Sequence, residues 1–240
     1  MLILALDTTS ETGGVGVFQD AERLVWVPNE NPANRYSVTL FEMVEKAQVL
    51  AGMQLGHVEL YAAANGPGSF TGIRVGLAAA RAWGTAFHRR VRGVSVLEAM
   101  VSKAPASSDW VFPILDARRG EFYLGSFRRR PSEPLGSTKP DYEAADAGWV
   151  LKPESICQFV EERLANSASA TCIVRVHDQA AQYLRSSLPA TLGWQGIEGA
   201  LVDAIAAIAL RQERGNEPFR ESNLDACYIR RPDAEINWKD

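Results

Sequence analysis

Two apolar runs that each end in aspartate, turn, and return as a second apolar run constrain this 240-residue chain more than any other feature. In the first, Ile3 to Asp7 reads as a buried strand. Ser10-Glu11-Thr12-Gly13-Gly14 supplies turn chemistry, and Val15 to Phe18 returns. In the second, Val111 to Leu115 is the strand, Asp116 to Gly120 the turn, and Glu121 to Phe127 the return. A strand–loop–helix pattern also recurs, around Leu60 and again around Cys172, in the same order. Duplication of one α/β unit explains this ordering.

The remaining elements fill in around the repeat. Leu24 to Val27 reads as a third strand of the first meander. Tyr36 to Ala51 has apolar residues at helical spacing, with Gly52 as its stop. Leu60 to Ala64 is a buried strand, and a helix follows from about Phe70 to Phe87. Gly93 to Ser95 is a short strand or turn, and Leu97 to Ser102 a further helix. Composition shifts to Ala, Pro and Ser near 104–109, so the expected halves are 1–107 and 108–240. Residues 131–148 read as a variable loop. Cys172 to Val176 is a strand, Ala180 to Ser186 a helix, and 198–212 a long apolar helix expected to pack back on the first half.

Composition excludes several classes. The net charge is −4, so no overall basicity points to nucleic acid. Arg118, Arg119 and the Arg128–Arg130 run could touch phosphate, but they also suit a solvated hairpin edge. Three dispersed cysteines form no CxxC pair, and the three histidines form no HxxxH or HExxH. This points to reduced thiols and against a metal hydrolase. Met1-Leu2-Ile3-Leu4 reads as a strand rather than a secretory leader, and no apolar run approaches the roughly 18–20 residues of a membrane helix.

Three constellations carry candidate chemistry. Asp7-Thr8-Thr9-Ser10, at the end of a buried strand, can face phosphates while the carboxylate holds hydrated Mg²⁺; equally, these residues can merely shape a turn. Asn65-Gly66-Pro67-Gly68-Ser69 leads into a helix N-terminus, with Ser69 as a cap, but no lysine follows as in a P-loop. Within that helix Gly72, Gly76, Ala80 and Gly84 form a stripe every four residues. Three glycines inside a helix cost on the order of 2–3 kcal/mol, so some close approach must offset them. The approaching surface is either the chain's own packing or a second subunit.

Asn65 to Gly76, the opening Leu4 to Thr9, Gly93 to Ala99, Leu115 to Tyr123 and the closing Cys227-Tyr228-Ile229-Arg230 together resemble the TsaB (YeaZ) family, over nearly the whole chain. The resemblance implies a duplicated actin/Hsp70-like ATPase-type fold (ribonuclease H-like), two related halves with mixed sheets flanked by helices. It implies a cytoplasmic, non-catalytic accessory subunit of the bacterial complex that makes threonylcarbamoyladenosine in tRNA. The paralogue TsaD carries out the transfer, the ATPase TsaE joins the complex, and tRNA is met through it. The chain alone is then expected as a homodimer.

No cofactor is required by this chain on that reading. Any ATP or ADP with Mg²⁺ is expected at Asp7, Thr8 and Thr9. The family's partner surface lies on the first two helices, which here gives Tyr36, Leu40, Val44, Ala47, Gly72, Ile73, Gly76, Ala80, Trp83 and Gly84. The first helix opens Tyr36-Ser37 where the family usually has His-Ser, and Val176-His177-Asp178 replaces a glycine-flanked turn. The competing readings are a small-molecule kinase of the same fold and a glycoprotease-like peptidase. The first would need a second phosphate loop and the second a nucleophile–base pair.

Overall fold

A computed structural model describes residues 1–31, 35–105, 107–130, 142–146, 148–165, 169–175, 179, 184–215 and 224–225. Contacts divide the chain into two units, Met1–Ala99 with the segment from Gly199, and Met100–Glu198. The division falls at Ala99/Met100, upstream of the Ala/Pro/Ser stretch.

The first unit has β1 (Leu2–Asp7), β2 (Gly14–Gln19), β3 (Glu22–Pro28), α1 (Tyr36–Ala51), β4 (Leu60–Gly66), α2 (Phe70–Ala86), β5 (Arg90–Ser95) and α3 (Val96–Val101, which crosses the division). Its sheet order is β3-β2-β1-β4-β5. The β1–β2 and β2–β3 pairs are antiparallel, and β1–β4 and β4–β5 are parallel. Leu4 and Leu6 of β1 and Val15 and Val17 of β2 join one core cluster with Leu40, Val44 and Ala47 of α1 and Ile73, Ala80 and Trp83 of α2.

Local chemistry fixes the helix ends. Ser69 Oγ accepts the Gly72 amide at 3.2 Å and caps α2. Gly52 closes α1 at φ 61°. Tyr61 is buried in the same core. Its hydroxyl donates to the Leu55 carbonyl at 2.7 Å, and burial pushes the phenol up to about 12.

The second unit has β6 (Trp110–Asp116), β7 (Phe122–Leu124), β8 (Phe127–Arg129), β9 (Tyr142–Ala144), β10 (Trp149–Leu151), α4 (Pro153–Leu164), β11 (Ala170–Arg175) and β12 (Gly193–Ile197). Its main sheet path is β10-β7-β6-β11-β12, with β8 on β6 and β9 on β8. The β10–β7 and β7–β6 pairs are antiparallel, and β6–β11 and β11–β12 are parallel. This repeats the order and strand directions of the first sheet, with β6 in the place of β1 and α4 in the place of α1.

The return strand expected over Glu121 to Phe127 is broken into β7 and β8, because Pro113 of β6 has no N–H to return the bond that its carbonyl accepts from the Gly125 amide at 3.1 Å. The segment 131–141, residues 180–183 of the helix expected over Ala180 to Ser186, the Val176-His177-Asp178 turn and the Cys227–Arg230 motif lie outside the described residues, and the described end of that expected helix is a 3₁₀ turn at Arg185–Ser187.

The last described helix, α5 (Val202–Arg214), belongs to the first unit and packs on β1, β2, β4 and β5. Ion pairs ring its apolar face: Asp203 with Arg23 at 3.0 Å, Arg211 with Glu98 at 2.8 Å, Arg214 with Asp20, and Glu213 with Arg90 and Arg92. The Arg92–Glu213 pair is the buried one, bonded through both Nε and Nη2. Losing either partner would leave a buried charge uncompensated.

Candidate functional site

The Asp7 turn lies where β1 meets the start of α2 and the start of α5. The Asp7 carboxylate is fully buried. One oxygen accepts the Thr9 amide at 3.1 Å and the Thr9 hydroxyl at 2.6 Å, and the other accepts the Leu201 amide at 3.3 Å. Leu201 is the residue that opens α5. The Thr8 hydroxyl donates to the Gly72 carbonyl at 2.7 Å, and the Ser69 amide donates to the Thr9 carbonyl at 2.8 Å. The structure thus brings Asp7, Thr8 and Thr9 together, with all three buried and bonded to the turn and to two helix starts.

Asp7→Asn sets an amide NH₂ or a lone oxygen against donors that now share a carboxylate. One buried N–H then loses its acceptor, at a cost of about 1–3 kcal/mol. Urea denaturation followed by circular dichroism is expected to show a lower midpoint with unchanged slope.

The glycine stripe of α2 faces this turn. A Cβ at Gly72 would overlap the Thr8 carbonyl oxygen, one at Gly76 the Thr8 hydroxyl, and one at Gly84 the Val91 side chain. The close approach that offsets the glycines is therefore the chain's own β1 turn and β5. This corrects the partner surface expected from the sequence. Gly72, Gly76, Ala80 and Gly84 are interior, as are Tyr36, Leu40, Val44, Ala47, Ile73 and Trp83. Tyr36 spends its hydroxyl on the Ser10 carbonyl at 2.8 Å. Helical periodicity marked a buried face correctly but could not say what buries it.

The outward face of the same helix pair is what the sequence reading missed. Val38, Phe41 and Val49 of α1 are 64%, 60% and 76% exposed. They stand three to four residues apart along one stripe with Glu45, the spacing of a helix-packing seam. The Phe41 ring meets Trp83 edge-on, with centroids 6.1 Å apart, which ties the stripe to α2. On α2, Arg74 lies over the exposed Phe70 ring at 3.9 Å from its centroid. Thr71, Arg74, Ala78 and Ala82 are exposed along the same side of α2. The signal was in the sequence: Val38, Phe41 and Val49 make α1 apolar on both sides, which one core does not explain.

The second Asp turn differs from the first. Its backbone is left-handed at three successive residues, with φ 67° at Arg118, 58° at Arg119 and 75° at Gly120. For a non-glycine residue this region costs roughly 1–2 kcal/mol. The turn is pinned by Arg118 N to Asp116 Oδ1 at 2.7 Å, Ala117 N to Glu121 O at 2.9 Å and Glu121 N to Arg118 O at 3.1 Å. The arginine run 128–130 does not join it. Arg129 is buried and donates to the Ser108 carbonyl, and Arg128 stands opposite Trp110, at the other end of β6 from Asp116. Among the described residues, no group of three His, Cys, Asp or Glu comes together to hold a metal, and no helix is long and apolar enough to cross a membrane.

The paired sheets of like order and direction define a duplicated actin/Hsp70-like ATPase-type fold. Solved structures share it. A Pseudomonas aeruginosa protein with similarity to the peptidase YeaZ superposes with a TM-score of 0.71 at 23% identity, covering 95% of this chain and 99% of that one. The YeaZ protein of the same organism gives 0.67 at 22%, covering 94% and 100%.

A family model for TsaD, the tRNA N6-adenosine threonylcarbamoyltransferase, matches residues 27–143. Two proteins named as tRNA threonylcarbamoyladenosine biosynthesis protein TsaB are each 27% identical. The Bacillus subtilis protein matches over 62% of this chain and 65% of its own length, and the Escherichia coli protein over 68% and 67%. The chain thus spans about two thirds of the length of these relatives. The chain is thus similar to the TsaB (YeaZ) proteins, in sequence over part of its length and in fold over nearly all of it.

Proposed function

We propose that this chain is a non-catalytic subunit of the cytoplasmic machinery that makes threonylcarbamoyladenosine in tRNA, and that it works by pairing with a TsaD-type paralogue. The observation that carries the pairing is the apolar outer stripe of α1. Three large hydrophobic side chains stand exposed on a helix whose other face already fills the core. Large apolar side chains exposed together along one helix face mark an interaction surface, even with Glu45 among them. The occupant we commit to is the paralogue that the matching family model describes, offering a helix face of its own. A second copy of this chain is the competing occupant when no paralogue is present. TsaE and tRNA join through the complex.

The non-catalytic reading draws on the Asp7 turn. The carboxylate and hydroxyls that would meet a nucleotide serve to fasten α2 and α5 to β1. Depleting the chain in its own cell, with the paralogue intact, is expected to remove threonylcarbamoyladenosine from digested tRNA nucleosides. Normal levels of the modified nucleoside would count against the assignment.

A further inference from the structure

We propose that Glu42 and Glu45 of α1 select a partner helix that carries cations. The spacing comes first. Val38, Glu42, Glu45 and Val49 follow one another along α1 at intervals of four, three and four residues, and all four are exposed. This is the spacing of the seam positions in a pair of packed helices. The outer midline of α1 is therefore apolar at its ends and doubly acidic at its centre, with the exposed Phe41 alongside.

The chain does not neutralise these carboxylates itself. Among the described residues, neither has an ion-pair partner. Lys46 is the one cation in the α1 sequence, and it stands four residues after Glu42, the ordinary spacing of a helix ion pair. Its ammonium goes instead to Glu30 at 2.8 Å. On α2, Arg81 reaches Asp225 at 3.7 Å and Arg74 lies over the Phe70 ring.

In water an exposed glutamate needs no partner. The seam changes that. When Val38, Phe41 and Val49 are covered, the two carboxylates between them lose water as well, and a desolvated carboxylate is stable only against a cation or a set of donors. A polar seam position gives up stability and in return specifies which helix fits. Here the specification is one of sign. A second copy laid antiparallel, α1 on α1, brings Val38 over Val49 and sets Glu42 against Glu45 of that copy, so like charges oppose it. A helix with Lys or Arg at the facing positions is favoured, and the inference assigns such a helix to the TsaD-type paralogue. It rests on the proposed function, because it takes the outer face of α1 as the pairing surface.

The test is isothermal titration of the paralogue into the wild type, Glu42→Gln/Glu45→Gln and Glu42→Lys/Glu45→Lys, at about 50 and about 500 mM salt. Glutamine and lysine are both good helix formers, so the variants should keep the wild-type circular dichroism and melting. At low salt the glutamine variant is expected to bind at least about 10-fold more weakly than the wild type, and the lysine variant at least about 100-fold more weakly. High salt should weaken the wild type most and narrow both gaps. Sedimentation velocity of each protein alone should show the glutamine variant self-associating at least as readily as the wild type.

A glutamine variant that binds the paralogue as tightly as the wild type, or more tightly, overturns the inference and leaves the proposed function standing. So does one that loses pairing and self-association together, since the glutamates would then serve the surface without regard to the partner's charge. Absence of binding by the wild type overturns the proposed function and the inference with it.

Discussion

Gly72→Leu is expected to destabilise the first unit by about 3 kcal/mol or more, the upper end of what overpacking costs. A Cβ at this position falls on the Thr8 carbonyl oxygen, which is main chain and cannot rotate away. Thr8 is itself held, because its hydroxyl donates to the Gly72 carbonyl at 2.7 Å and the next residue accepts the Ser69 amide at 2.8 Å. Either α2 lifts off β1 or the Asp7 turn opens, and the second course also releases Leu201 at the start of α5. Better helix propensity returns only about 0.8–1 kcal/mol. For a chain of this size the melting temperature should fall by roughly 6–12 °C or more. Gly76→Leu is expected to act in the same direction through the Thr8 hydroxyl. Differential scanning calorimetry decides the matter. A Gly72→Leu protein with wild-type melting and weakened pairing would return the stripe to the partner surface.

Phe41→Glu is expected to do the opposite, leaving the fold and removing the pairing. The side chain is 60% exposed, and its ring meets Trp83 edge-on. Little core burial is lost, so the melting temperature should change by no more than a few degrees. In the complex, an aromatic side chain at the centre of an apolar stripe is the kind of residue that costs 2 kcal/mol or more when removed, about 30-fold in affinity. A glutamate adds a charge with no partner inside the interface. Size-exclusion chromatography of the mixture should show the variant eluting apart from the paralogue, with an unchanged far-ultraviolet spectrum.

The repeated Asp-terminated strands were legible because each is a continuous apolar run that ends in strong turn residues, and β1–β2 and β6–β7 form at those places. Helices α1 and α2 were legible from period and caps, with Gly52 and Ser69 at their ends. Helix α4 had a readable start at Pro153 and a buried Ile156–Val160 pair, but its dense charges obscured the pattern. Strand β12, Gly-Trp-Gln-Gly-Ile, carries two glycines and no alternation, so it forms because β11 offers a parallel edge and not from local preference.

The candidate site was half legible. The residues of the Asp7 turn were identified, but the sequence could not show that their polar atoms point at Gly72, Ser69 and Leu201. The glycines signalled a close approach, which is a statement about distance. It takes coordinates to show that the approaching group is Thr8 and that the free surface is the other side of α1.

Isothermal titration of the TsaD-type paralogue into the wild type and into Val38→Glu/Phe41→Glu tests the pairing face most directly. The expected result is saturable one-to-one binding by the wild type and a dissociation constant at least about 30-fold weaker for the double variant, with both proteins equally folded. Equal dissociation constants for the two would contradict the assignment of the outer α1 stripe as the surface through which this protein works.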